Sequence, residues 1–172
     1  RDDNEVIHNT GIRKRIRDFS LIPSPYLSGF FDELIEIVGD SHSWLASWES
    51  NRGCPFACTY CDWGSATNSK VTRIELERAF EELDWFALHK IEFIFVCDAN
   101  FGMLPRDLEI ADYVTTLNQV FGYPKVFSVQ NTKNKRERAY GVQKKLADSG
   151  LAKAVTIALQ STSNEALVAI KR

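Results

Sequence analysis

The chain has 172 residues, enough for one domain with a real core, and its 44% hydrophobic and 26% charged residues are ordinary for a globular protein. A formal net charge of −2 provides no field that would draw it to nucleic acid or an anionic membrane, and no apolar run approaches the roughly 20 residues that span a bilayer. Four cysteines are too sparse for a small secreted disulfide scaffold, so reduced thiols in a cytoplasmic compartment are the expectation. There is no signal-peptide pattern and no initiating Met, Met103 being the only one, so the sequence is expected to be an excerpt of a longer protein.

Residues 1–20 are polar, with a basic cluster Arg13-Lys14-Arg15-Ile16-Arg17 that reads as a solvated linker. Ile22-Pro23-Ser24-Pro25 is a stiff extended connector, because proline restricts itself and its predecessor. Phe30, Phe31, Leu34, Ile35 and Val38 then follow helical spacing up to Gly39. From residue 44 onward strand and helix alternate. Residues 44–49 form a strand that runs into a cysteine-rich loop. Thr72-x-x-Glu75 is a capping box for a helix with Leu76, Ala79, Phe80, Leu83 and Ala87 on its inner face. Residues 91–97, apolar on both faces except Glu92, suit a buried parallel strand.

Pro105 fits the first turn of the next helix, lined by Ile110, Val114, Leu117 and Phe121 and closed by Gly122. A third strand at 126–130 and a helix at about 135–149, closed by Gly150, follow. A fourth strand at 154–159 and a second capping box, Thr162-x-x-Glu165, complete the series. Lys133, Lys135, Arg136, Arg138, Lys144 and Lys145 make a basic face without interleaved aromatics, expected to be a solvated helix surface. Four successive β/α units imply a parallel sheet with right-handed crossovers. Periodicity does not choose between a barrel and a doubly wound sheet.

Three of the four cysteines lie in Arg52-Gly53-Cys54-Pro55-Phe56-Ala57-Cys58-Thr59-Tyr60-Cys61, with the spacing C-x3-C-x2-C. Cysteine thiolates ligate iron–sulfur clusters, and three of them leave one iron of a cubane without a protein ligand. An open coordination position is what a metal needs to bind a substrate or cofactor directly. Structural zinc is the rival reading, but it wants four ligands in two close pairs, and no second Cys/His pair with suitable spacing exists. An electron-transfer protein would usually close its cluster with a fourth cysteine. Cys97 ends a buried strand and is read as a small core hydrophobe, not a ligand.

The spacing, with Tyr60 as the aromatic before the last cysteine, resembles the radical S-adenosylmethionine (SAM) superfamily. Glu49-Ser50-Asn51-Arg52-Gly53-Cys54, Cys61-Asp62-Trp63-Gly64 and Ile22-Pro23-Ser24-Pro25-Tyr26-Leu27 resemble members with a cobalamin-binding domain before the barrel. His8 and Gly11 echo part of a cobalamin-ligand motif, but Val6 stands where that motif has Asp, so the echo reads as chance. The resemblance implies an α/β fold, a partial (β/α) barrel of which about the first four units are present. Residues 1–43 would then lead from an absent, cobalamin-binding region, and 44–172 would be the first two-thirds of the barrel.

The resemblance also implies chemistry. Cys54, Cys58 and Cys61 would hold a 4Fe–4S cluster whose open iron binds SAM. Reductive cleavage of SAM would give a 5′-deoxyadenosyl radical that takes hydrogen from an unactivated C–H bond, with the barrel orienting the cofactor and excluding water. If cobalamin is bound elsewhere, the resemblance implies methyl transfer to carbon or phosphorus first, with a radical rearrangement or ring contraction as the alternative. Asp98 would accept from the SAM amino group, and Asn100 would sit beside it. Gln160 and Ser161 would lie near the ribose and carboxylate, their helix cap being supplied by Thr162, and Tyr60 would lie by the adenine. Trp63 and Lys70 would lie toward the substrate. The implied partners are a small-molecule or natural-product substrate and an electron donor such as flavodoxin or ferredoxin, with no membrane and no nucleic acid.

Overall fold

The computed structural model describes Ile7, Asn9, Gly11, Ile16 and residues 18–61, 70–133 and 135–171, with Asp40 by its backbone alone. In chain order these form a 3-10 turn Phe19–Leu21, α1 (Asp32–Val38), a 3-10 turn Gly39–Ser41, β1 (Leu45–Trp48), β2 (Asn51–Arg52) and β3 (Thr72–Arg73). Then come α2 (Leu76–Leu88), β4 (Phe93–Val96), α3 (Arg106–Phe121), β5 (Val126–Ser128), α4 (Arg136–Asp148) and α5 (Asn164–Ala169).

The principal sheet runs β1–β4–β5, all parallel. Ala46 pairs with Ile94, and Ile94 in turn with Phe127. Because side chains alternate along a strand, this register places Ala46, Trp48, Ile94, Val96, Phe127 and Val129 on one face, and all are buried. The other face carries Leu45, Ser47, Phe93, Phe95, Val126 and Ser128, all at least partly open. Consecutive helices pack against each other, α2 on α3 and α3 on α4, and their buried residues join the same core as the buried strand face. Strand order follows chain order without the reversal that defines a doubly wound sheet. One-sided helical cover and a monotonic strand order are the geometry of a partial (β/α) barrel.

Packing explains the helices. Ala79, Leu83, Phe86 and Ala87 of α2 are buried, with Leu76 and Phe80 packed beside them. Ile110, Val114 and Leu117 line α3, and Gly122 ends it in the left-handed conformation. Each fully buried large apolar side chain, Trp48, Phe86 and Phe127 among them, contributes about 1.5–3 kcal/mol.

Several expectations are corrected. Thr72 is no helix cap: it pairs in β3 with Arg52 of β2, and Glu75 precedes α2 without a side-chain capping bond. A residue engaged in a strand ladder is not at the first turn of a helix. Phe121 lies on the exposed side of α3, and Phe30 and Leu34 of the N-terminal region are exposed as well. Residues 154–159 form no strand. The chain stays on the sheet only to Leu151, whose carbonyl accepts from Phe127 N at 3.0 Å. Beyond it, Asn131 Nδ2 reaches Thr156 O at 3.2 Å, while Val155, Ile157 and Leu159 are exposed. An extended segment without a backbone ladder has too little to hold it as a strand. Ser163, not Thr162, caps α5, its hydroxyl accepting from Ala166 N at 3.3 Å.

The segment before β1 is tied to the barrel wall. Arg78 Nη1 donates to the carbonyls of Phe19 at 3.2 Å and Ile22 at 2.6 Å. Its Nε pairs with Glu82 Oε1 at 3.0 Å, and Glu82 Oε2 accepts from Trp48 Nε1 at 2.7 Å. Tyr26 packs edge-on against Phe86 and donates to Ser47 O at 2.5 Å; burial pushes its phenol up to about 12. On the basic face of α4, Lys144 pairs with Asp148, Lys145 with Asp112, and Arg138 donates to Met103 O. After β4 the turn into α3 is closed by Asp107, whose Oδ2 accepts from Gly102 N and Leu104 N, both at 2.8 Å.

Glu82→Ala strands the buried Trp48 N–H and unpairs Arg78, so a loss of about 2–4 kcal/mol is expected in denaturant titrations. Burial raises the Asp107 carboxyl from 3.8 to about 6 against its hydrogen bonds. A raised folded value gives stability that is complete below the unfolded value and lost as pH rises through the folded one. Asp107→Asn removes that slope. Its stability relative to wild type should improve by about 3 kcal/mol between the acid and neutral ends of that window, measured by urea unfolding at both.

Candidate metal centre

The cysteine loop hangs from the carboxyl end of β1, and the next strand holds it. Cys97 N donates to Trp48 O at 2.7 Å, which brings Asp98 under the residues after β1. One carboxylate oxygen of Asp98 accepts from Ser50 N at 2.7 Å and Asn51 N at 3.0 Å. The other accepts from Ser50 Oγ at 2.5 Å and Asn51 Nδ2 at 2.6 Å. Asp98 is fully buried, and burial pushes its carboxyl up to about 6 against the pull of these bonds. Arg106, itself buried, donates from Nη1 to Ile74 O at 2.5 Å, and Ile74 N donates to Ser50 O at 3.1 Å. The start of the loop is thus fixed by β3 on one side and by the turn after β4 beneath it.

Gly53 follows with φ +112, and a Cβ there would collide with the Lys70 carbonyl oxygen. Only glycine combines that backbone angle with that closeness. Two residues earlier in the chain than Cys54, the Arg52 guanidinium lies 5.2 Å from the Phe19 ring centroid and forks onto Glu49, with Nη2 at 2.5 Å from Oε2.

Cys54 is buried and its sulfur accepts from Asn100 Nδ2 at 3.2 Å. Cys58 and Cys61 are half-buried and bracket a turn in which Cys61 N donates to Cys58 O at 3.1 Å. Thr59 N donates to Ile170 O at 3.1 Å, so the far side of the loop touches the end of α5. None of the four cysteines is disulfide-bonded. Among the described residues no three Cys, His, Asp or Glu side chains are gathered tightly enough to enclose a metal ion. The donors nevertheless fit an iron–sulfur cluster. They are three reduced thiols on one loop, without helix or strand between residues 53 and 61, which leaves the segment able to close around a centre.

The remaining expected site residues divide into two groups. Asp98 and Asn100 lie under the loop, not in the mouth. Both oxygens of Asp98 are taken by Ser50 and Asn51, so in this conformation the carboxylate orients the loop and has no oxygen turned toward a ligand amine. Tyr60, Gln160 and Ser161 lie at the surface: Tyr60 is 49% exposed, and Gln160 is exposed with φ +67, an uncommon angle for a side-chain-bearing residue. Ser161 Oγ accepts from Ser163 N at 3.1 Å. Cys97 lies on the strand face opposite Asp98, with its thiol pushed up by burial. Lys70 is exposed; Trp63, the rest of the Asp62-Trp63-Gly64 word and His8 lie outside the described residues.

In the sequence Ser50, Asn51 and Gly53 stand out only as part of the word that precedes the first cysteine. Their signal was local: two small hydrogen-bonding residues and a glycine immediately before the first cysteine.

A one-sided parallel α/β sheet with a three-cysteine loop at the carboxyl end of its first strand is the architecture of a partial (β/α) barrel with a cysteine-lined mouth. The Radical SAM superfamily model matches residues 48–172, and the chain belongs to that superfamily, a family of enzymes that implies a 4Fe–4S cluster and SAM. The chain is 44% identical over 151 residues to a 2-(S-pantetheinyl)-carbapenam-3-carboxylate methyltransferase of Streptantibioticus cattleyicolor, covering 87% of this chain and 22% of that protein. It is 41% identical over 160 residues to the cobalamin-dependent radical SAM methyltransferase TokK of Streptomyces tokunonensis, covering 92% of this chain and 24% of that protein. The chain therefore spans about a quarter of the length of these curated relatives. No helix among the described residues is long and apolar enough to cross a membrane.

Gly53→Ala should cost at least about 2 kcal/mol in unfolding experiments, because both the backbone angle and the Lys70 carbonyl oppose a side chain.

Proposed function

We propose that this chain is the cluster-bearing part of a cobalamin-dependent radical SAM methyltransferase acting on a small natural-product substrate. The observation that carries the reading is the C-x3-C-x2-C loop, suspended from the carboxyl end of β1 by four hydrogen bonds to Asp98. It is joined to high identity with two methyltransferases. Cys54, Cys58 and Cys61 are the cluster ligands in this proposal, leaving one iron open for SAM. The chemistry supplied when both are bound is one-electron reductive cleavage of the SAM sulfonium, with cobalamin, held by another region of the whole protein, carrying the methyl group.

The chain's own residues supply position. Asp98, through Ser50 and Asn51, sets the angle at which the loop leaves β1. Gly53 lets the backbone pass close to Lys70. Tyr60, Gln160 and Ser161 lie on the SAM side of the loop, and the left-handed turn at Gln160 supports that assignment, since uncommon backbone angles persist where surrounding structure imposes them. In the same proposal residues 44–172 form the first part of the barrel, and 1–43 lead into it from the cobalamin-binding region. The electron comes from a small donor protein such as flavodoxin or ferredoxin. A carbapenam-3-carboxylate thioether is the first substrate to try, because that is what one relative's name specifies.

The test is electron paramagnetic resonance of anaerobically reconstituted, dithionite-reduced protein, with and without SAM. A cubane signal that shifts on adding SAM, and is lost in the Cys54→Ala/Cys58→Ala/Cys61→Ala variant, is expected. Bound zinc with no cluster signal would overturn the reading. A cubane indifferent to SAM would replace it with electron transfer.

A further inference from the structure

Cys54 is the buried one of the three loop cysteines, and its sulfur receives a side-chain hydrogen bond from Asn100 Nδ2 at 3.2 Å. The donor is rigidly held. Asn100 is 4% exposed, and its neighbour Phe101 is fully buried. Asn100 O accepts from Met103 N at 3.2 Å, and Phe101 N donates to Gln130 O at 2.8 Å, locking the turn to the end of β5. A dipole fixed in a low-dielectric interior acts more strongly than one facing water.

We propose that Asn100 is a positioning residue that tunes the cluster. Its amide N–H stays directed at the Cys54 sulfur in the loaded protein and raises the potential at which the cluster accepts an electron. Reduction adds negative charge that spreads onto the ligand sulfurs, so a donor aimed at one of them stabilises the reduced form more than the oxidised form. Cys58 and Cys61 lie in the half-exposed part of the loop, where solvent screens a dipole more than it does at the buried Cys54. The proposal rests on the cluster reading of the site. It differs from a turn-forming role for Asn100, which would act on stability and leave the potential alone.

The experiment is an EPR-monitored redox titration of the reconstituted full chain as wild type, Asn100→Ala and Asn100→Leu, with thermal melts of the unloaded proteins alongside. Both variants should hold a cluster and shift its reduction equilibrium against the reduced form by about tenfold, or about 59 mV for one electron. Potentials equal to wild type would overturn the proposal while leaving the cluster reading intact. So would variants that melt like wild type yet take up no cluster, since the residue would then serve assembly. A wild type without a cubane would instead remove the cluster reading itself.

A second measurement needs no variant and decides the matter if substitution unfolds the turn. In reduced wild type labelled with 15N at asparagine side-chain amides, and without SAM, pulsed EPR should detect an amide nitrogen coupled to the cluster. No such coupling would overturn the proposal.

Discussion

The Asp98 carboxylate is the constraint on which the rest of the site depends. It sits where water is excluded, and a buried anion is tolerated only when its lone pairs are met by donors. Four donors meet it, two backbone amides and two side chains, all from Ser50 and Asn51. Those residues are the last fixed points before the chain reaches Gly53 and Cys54. The same turn that carries Asp98 carries Asn100, so two polar side chains two residues apart reach both the root of the loop and its first sulfur. Asn51 Oδ1 is buried without a hydrogen-bond partner among the described residues, an acceptor left open beside the same root.

Around this root the fold divides its labour by face. The helix-covered face of the sheet is apolar and closed, with Trp48, Ile94, Val96 and Phe127 at its centre. The opposite face keeps Ser47, Phe95 and Ser128 partly open, and it is the side toward which a barrel of this class faces its lumen. Trp48 and Glu82 form a hydrogen-bonded polar pair within that closed face. Core packing makes a stiff wall, and the root of the loop at its edge is both buried and held by hydrogen bonds. Rigid support under an irregular loop is the usual arrangement for a cofactor site.

Much of this was legible in the sequence. The apolar periodicities located α2, α3 and α4 and the strands β1, β4 and β5 to within a few residues, because burial on one face forces those patterns. The cysteine spacing singled out the loop that leaves the carboxyl end of β1, and the carboxyl ends of the strands located the surrounding loops. The errors have physical causes. Thr72 and Thr162 each stand three residues before a glutamate, but a capping box depends on where the chain bends, and Thr72 was claimed by a strand partner 20 residues upstream, Arg52. Residues 154–159 have a strand's composition, yet strand formation requires a backbone partner as well as an apolar face. The two-layer role of Asp98 was hidden because a carboxylate at a strand end has the same sequence signature whether it faces a ligand or the chain's own amides. The contact of Phe19, at the end of the polar N-terminal stretch, with Arg52 was likewise beyond any local pattern.

The distance along the chain between the loop and its anchor has a temporal consequence. Ser50 and Asn51 are bound by a carboxylate 48 and 47 residues downstream, beyond all of α2 and β4. On a growing polypeptide the thiols emerge first and have no fixed arrangement until the following β/α unit has been synthesised and has docked. Long-range closures of this kind are made late, since the ordering of the intervening chain must come first. The order of events is therefore set by topology: the root of the cysteine loop is fixed only after β4 and the turn that follows it are in place.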